Sequence, residues 1–82
     1  MSQAMQGSAK VVGIKQLRRA LRDGIVRTAY LAKNADPFLT EPLRELCREG
    51  GVPVENVPTM AELGKRFGIG VGAAAAGILR DT

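Results

Sequence analysis

The spacing of apolar positions changes repeatedly along the chain, and each change marks an element. Val11 and Val12 form a short strand-like pair, broken by Gly13. From Ile14 to Arg22 the period turns helical, with Ile14, Leu17 and Leu21 at i, i+3 and i+7 and Ala20 beside them. Asp23-Gly24 closes that helix with turn chemistry. Ile25 to Ala32 is rich in strand formers, Val26, Thr28 and Tyr30 alternating with Arg27, Ala29 and Leu31. Both sets are mostly apolar, which predicts a strand covered on both faces. After the loop Asn34-Ala35-Asp36-Pro37 a second helix starts between Pro37 and Glu41, with Leu39, Leu43, Leu46 and Cys47 along one side. Gly50-Gly51 stops it, one of the pair in a left-handed cap.

Val52 to Val57 reads as a short strand with Pro53 and Pro58 near its ends. Thr59 is placed to cap a third helix from Met60 to Phe67, with Met60, Leu63 and Phe67 on one face. The glycine-rich turn Gly68-Ile69-Gly70-Val71-Gly72 leads into Ala73 to Leu79. Four alanines there favour a helix, whereas Ile78-Leu79 and the alternation of elements favour a last strand. Strand is the better reading, because small side chains let helices approach a central sheet closely. The order predicts an α/β protein, a three-layer α/β/α sandwich around a central four-stranded mixed sheet.

Composition narrows the chemistry. Eighty-two residues allow one domain of about ordinary size. One cysteine cannot form an internal disulfide, and a chain with no histidine has no Cys–His or Ser–His pair and no zinc ligand set. A hydrolase or metalloenzyme is disfavoured, and neither a cofactor nor a metal is expected. No apolar run of about 18 residues exists to span a membrane. The opening MSQAMQGSAK lacks the apolar centre of a signal peptide. Residues 1–9 are expected to be a mobile polar tail before one domain over residues 10–82, in a cytoplasmic protein.

The charge is unevenly placed. Residues 1–36 carry seven basic side chains against two acidic ones, while the remainder carries five against six. Lys15, Arg18, Arg19 and Arg22 fall within an arc of about 100° on the first helix, adjoining its apolar stripe. This helix can pack on a sheet and still present four cations. Such a face is either simply solvated or turned to an anionic partner. Its start breaks stability rules: Lys15 lies where the helix dipole favours anions, and Gly13 brings no capping side chain. Free N–H groups beside Lys15 suit a phosphate or the acceptor edge of a base. Gln16 adds an amide that donates and accepts.

The other motifs divide between packing and function. Gly68 to Ala73 spells G-x-G-x-x-A, but it follows a helix and has no acid about 20 residues later, so the dinucleotide-binding reading fails. What remains is a turn whose Ile69 and Val71 either fold into the core or form an apolar platform for an unstacked base. Cys47, beside Leu43 and Leu46, reads as core. Three aromatic residues are too few for a stacking sheet of the RRM kind.

Three segments together resemble the kink-turn-binding ribosomal protein family, the L-seven-Ae family, and especially its short bacterial members. They are Val12-Gly13-Ile14-Lys15-Gln16 with Ala20-Leu21, then Ala32-Lys33-Asn34-Ala35-Asp36-Pro37, then Leu63-Gly64-Lys65 with Gly68-Ile69 and Val71-Gly72-Ala73-Ala74-Ala75. The resemblance runs from about Lys10 to Leu79 and implies the same α/β/α sandwich. It also implies binding to the kink-turn, a sharply bent RNA element built on tandem sheared G·A pairs, in ribosomal RNA or a messenger leader.

Carried over by position, Gly13, Ile14, Lys15 and Gln16 match the start of the helix that reads guanine edges. Arg18, Arg19 and Arg22 continue its basic side, Arg19 matching a backbone-contacting position. Ile69, Val71 and Gly72 match the apolar loop, Gly70 within it stands at a position often acidic in relatives, and Lys33 and Asp36 lie near the site. The archaeal branch has Asn and Glu where this chain has Lys15 and Gln16, and Pro where it has Gly72; Lys-Gln is similar to the bacterial branch.

The expectation is a monomeric, non-catalytic binder of structured RNA, with no small-molecule substrate and no membrane partner. Two rivals remain at this point. One is a module whose basic helix meets an acidic protein, or binds RNA without selectivity. The other is a nucleotide-binding enzyme using the glycine loop.

Overall fold

Residues 9–80 are described by the structure, a computed structural model. The tail expected over residues 1–9 lies, apart from Ala9, outside the described residues. The elements are β1 (Lys10–Val12), α1 (Ile14–Arg22), β2 (Val26–Ala32), α2 (Pro37–Gly50), β3 (Val54–Val57), α3 (Met60–Arg66) and β4 (Ala75–Leu79). They form one four-stranded sheet in the order β1-β4-β2-β3. β4 runs antiparallel to both β1 and β2, and β2 is parallel to β3, so the sheet is mixed. The expected α/β/α sandwich is the fold observed.

Two cores flank the sheet. Leu17, Ala20, Leu43 and Cys47 of α1 and α2 pack on Ala29, Leu31 and Ala75. On the opposite face Leu63 and Phe67 pack on Ala32, Val57 and Ala76. The small residues of β4 set how near α1 can come: a Cβ on Gly77 would lie 2.8 Å from Leu17 Cδ1. In the second core the Phe67 ring meets Tyr30 edge-on at 5.3 Å, and Lys10 Nζ lies 5.8 Å from the Phe67 centroid.

Several boundaries follow from local chemistry. The side chain of Thr59 caps α3, accepting from Glu62 N–H at 3.0 Å. Gly51 ends α2 in the left-handed conformation at φ 69°. Asp36 caps the start of α2, accepting from Phe38 N–H at 2.9 Å.

Other details differ from the sequence expectation. β2 starts at Val26, β3 at Val54 and β4 at Ala75, and α3 ends at Arg66 with Phe67 as its cap. On α2 the buried residues are Thr40, Leu43 and Cys47, while Leu39 is 48 % exposed. Those three stand at i, i+3 and i+7, so the covered stripe passes through Thr40 and leaves Leu39 to one side. A register shift between Val26 and Thr28 breaks the strict alternation of β2. Val26 therefore joins Ala29 and Leu31 in the first core, instead of sharing a face with Tyr30.

Candidate nucleic-acid interface

The topology gathers four chain segments at one end of the sheet. β1, β2 and β3 run in one direction, so α1, α2 and α3 all begin just beyond the same edge, and β4, running oppositely, begins there too. Backbone bonds tie the segments together. Gly13 N–H donates to Ala75 C=O at 2.9 Å, joining the start of α1 to the start of β4. Ala32 N–H donates to Ala74 C=O at 3.0 Å, and Lys33 N–H to Val57 C=O at 2.7 Å. Asn34 Oδ1 accepts from Met60 N–H at 2.9 Å, and Met60 C=O accepts from Ala73 N–H at 3.0 Å.

The start of α1 differs from the other two helix starts. Asp36 and Thr59 cap α2 and α3, whereas no side chain caps α1. Gly13 is the N-cap at φ 117°, a conformation that L side chains rarely adopt, and a Cβ there would overlap the Gln16 side-chain oxygen. The first turn holds no acid, and Lys15 stands at its second position, both Lys15 and Gln16 being exposed. The open N–H groups and the helix dipole form a positive end beside an exposed cation.

Along α1 the basic side continues through half-buried Arg18 and exposed Arg19 and Arg22. Among the described residues no acidic side chain forms an ion pair with Lys15, Arg18, Arg19, Arg22 or Lys33. Arg44, Arg48 and Arg66, by contrast, all have carboxylate partners. The hydrogen bond from Arg66 to Glu55 raises the Arg66 pKa further above its ordinary value.

The loop before β4, residues 68–74, treats its two apolar residues differently. Ile69 is half-buried against the second core, while Val71 is 72 % exposed. Of the two, Ile69 folds back onto the core, whereas Val71 stays outside it. Gly70 and Gly72 are exposed beside Val71. The loop's position depends on Gly64, buried within α3. A Cβ there would overlap the Val71 carbonyl oxygen and lie 3.1 Å from Gly72 Cα. A helix-interior glycine costs about 1 kcal/mol relative to alanine, and here it admits the backbone that presents Val71.

The structure thus places Gly13, Ile14, Lys15 and Gln16 at the same end of the sheet as the loop before β4, with Lys33 and Asp36, and the Gly13–Ala75 bond ties the start of α1 to the strand that follows the loop. Arg22, at the far end of α1, lies away from that edge. Sequence reasoning assigns no role to Asn34, Gly64 or Phe38. An isolated glycine in a helical pattern is the available signal for Gly64; the bond between Asn34 and Met60 spans 26 residues and has none.

Among the described residues no cluster of His, Cys, Asp or Glu gathers to hold a metal, and no helix is long and apolar enough to cross a membrane.

Comparison with known proteins adds the lineage. An RNA-binding protein of a Geobacillus species is 42 % identical over 76 residues, 93 % of each chain. The RNA-binding protein YbxF of Geobacillus stearothermophilus is 41 % identical over 76 residues, again 93 % of each chain. A solved structure of a protein with unknown function from Bacillus halodurans C superposes with a TM-score of 0.78 at 23 % identity, covering 89 % of this chain and 72 % of that one, and so supports the fold. The profile of the ribosomal protein L7Ae/L30e/S12e/Gadd45 family matches residues 1–82, and the chain belongs to that family.

Proposed function

We propose that this is a non-catalytic RNA-binding protein that recognises and stabilises a kink-turn in structured RNA, acting as a cytoplasmic monomer through the domain of residues 10–82. The observation that carries the reading is the uncapped, cationic start of α1, tied by the Gly13–Ala75 bond to the start of β4, the strand that follows the loop presenting Val71. The relatives named as RNA-binding proteins support the class of partner.

The chemistry runs in three parts. Lys33 and the cations of α1 neutralise closely spaced phosphates, whose repulsion opposes the bend, with release of counterions. Lys15 and Gln16 donate to guanine O6 and N7 in an opened major groove, and this favours the G·A element over a plain duplex. Val71, supported by Gly70, Gly72 and half-buried Ile69, covers an unstacked base. A protein that binds only the bent form shifts the RNA population toward it. The apolar Val71 beside unpaired cations suits nucleic acid better than an acidic protein groove.

Titration against two RNAs differing only in the G·A pairs, one a kink-turn and one fully Watson–Crick, at two salt concentrations, tests this. Tight binding confined to the kink-turn is expected. Equal, salt-sensitive binding to both would reduce the basic helix to a non-selective electrostatic surface.

A further inference from the structure

Phe38 is 87 % exposed, the most exposed large apolar side chain among the described residues. The other two aromatic rings, Tyr30 and Phe67, are used against each other in the second core, so Phe38 is the aromatic left for a contact outside the molecule. Its place is not arbitrary. The exposed large apolar residues are Ile25, Phe38, Leu39, Met60 and Val71. Ile25 precedes β2 at one end of the sheet, while the other four belong to the starts of α2 and α3 and the loop before β4, at the opposite end with Lys15 and Lys33.

We propose that Phe38 is an RNA-binding residue whose ring stacks on an unpaired nucleobase beside the kink-turn, extending the interface from α1 and the Val71 loop onto α2. The inference rests on the reading of this end of the sheet as the RNA-binding end. Three observations favour a base as the occupant. The backbone that carries the ring is fixed: Asp36 accepts from Phe38 N–H at 2.9 Å and Pro37 sets the preceding turn, so little backbone freedom is lost on contact. Phe38 stands in the first turn of α2, at the end of the sheet that bears Lys33. The surroundings also fit one flat group. An open groove of about 560 Å³ beside the ring is walled by Pro37 and Pro42 and by Glu41, Glu45 and Arg48.

Glu41 is paired with Arg44 and Glu45 with Arg48, so the carboxylates present a largely neutralised rim to RNA. Those charged side chains also break up the apolar lining that Phe38, Pro37 and Pro42 give the groove. A stable protein partner would need a broad apolar centre, whereas one aromatic face is what a single base requires.

The test uses the full chain, which contains no tryptophan. Phe38→Trp places a single tryptophan at the proposed contact, and titration with kink-turn RNA is expected to quench its selectively excited emission with the midpoint seen by mobility shift. Phe38→Ala is expected to weaken kink-turn binding by about tenfold, the scale of a lost base–aromatic stack. Its salt slope should match the parent, since no phosphate contact is removed. At 87 % exposure neither variant should disturb folding, which circular dichroism checks. Kink-turn binding without quenching, or with unchanged affinity of Phe38→Ala, overturns the stacking role and leaves the proposed function standing. Failure of the parent chain to bind a kink-turn overturns both.

Discussion

α1 and α2 lie side by side on one face of the sheet and share a core, yet they handle charge in opposite ways. α2 carries Glu41 and Arg44, then Glu45 and Arg48, each pair three residues apart and in contact. α1 carries Lys15, Arg18, Arg19 and Arg22 with no carboxylate on the helix and no ion-pair partner among the described residues. Like charges at helical spacing cost about 0.2–0.5 kcal/mol per pair, and opposite ones gain about as much. The starts differ in the same sense: α2 opens on an aspartate cap, α1 on a glycine followed by a cation. α2 is arranged for its own stability. α1 forgoes several small stabilising terms and retains charge that an anion can use.

Exchanging features between the two helices should expose that difference. Lys15→Ala is expected to lose about 1–3 kcal/mol of kink-turn binding and most of the preference for G·A-paired RNA, measured by titration, with little change in stability. Unchanged affinity would remove Lys15 from base reading. Asp36→Ala should cost about 1 kcal/mol of folding stability in urea unfolding, because it removes the kind of cap that α1 lacks. Arg22→Ala should reduce the slope of log affinity against log salt by about 1 while leaving RNA selectivity intact. Glu45→Gln, which breaks an exposed pair on α2, should change stability in urea unfolding by under about 0.5 kcal/mol.

The shared core offers the smallest effect. Burial raises the Cys47 pKa above its ordinary value of 9.0, with Arg44 opposing the shift in part. A raised folded-state pKa means the contribution to stability is complete below the unfolded-state value and is lost as pH rises through the folded one. Urea midpoints should therefore be flat with respect to this group at neutral pH and fall above about pH 8.5, where the unfolded thiol ionises. Cys47→Ser should flatten that alkaline limb.

How far the chain can be read follows from how local each signal is. The bounds of α1 are legible because its period, Gly13 and the Asp23-Gly24 turn lie within one stretch. Thr59 is recognisable as a cap for the same reason. The inward face of α2 reads wrongly at Leu39, because rotation about the helix axis is settled by what packs on it and Thr40 is the residue covered. Ile69 and Val71 have nearly the same local surroundings in sequence, and one is half-buried while the other is exposed. Only the passage of the loop over Gly64 distinguishes them.

Local chemistry and composition were enough to set the three helices and the first three strands, the Thr59 cap and the glycine turns, the lack of any histidine-based catalytic or zinc-binding set, and the excess of positive charge on the first helix. These rest on interactions within a few residues and need no partner from elsewhere in the chain. Which residues meet was settled by the packed fold. Sheet order placed Gly13 against Ala75 and set three helix starts at one edge; the register shift in β2 reassigned Val26; and Gly64 determined where Val71 stands. Each depends on contacts between distant segments, whose geometry arises only when the two cores close on the sheet.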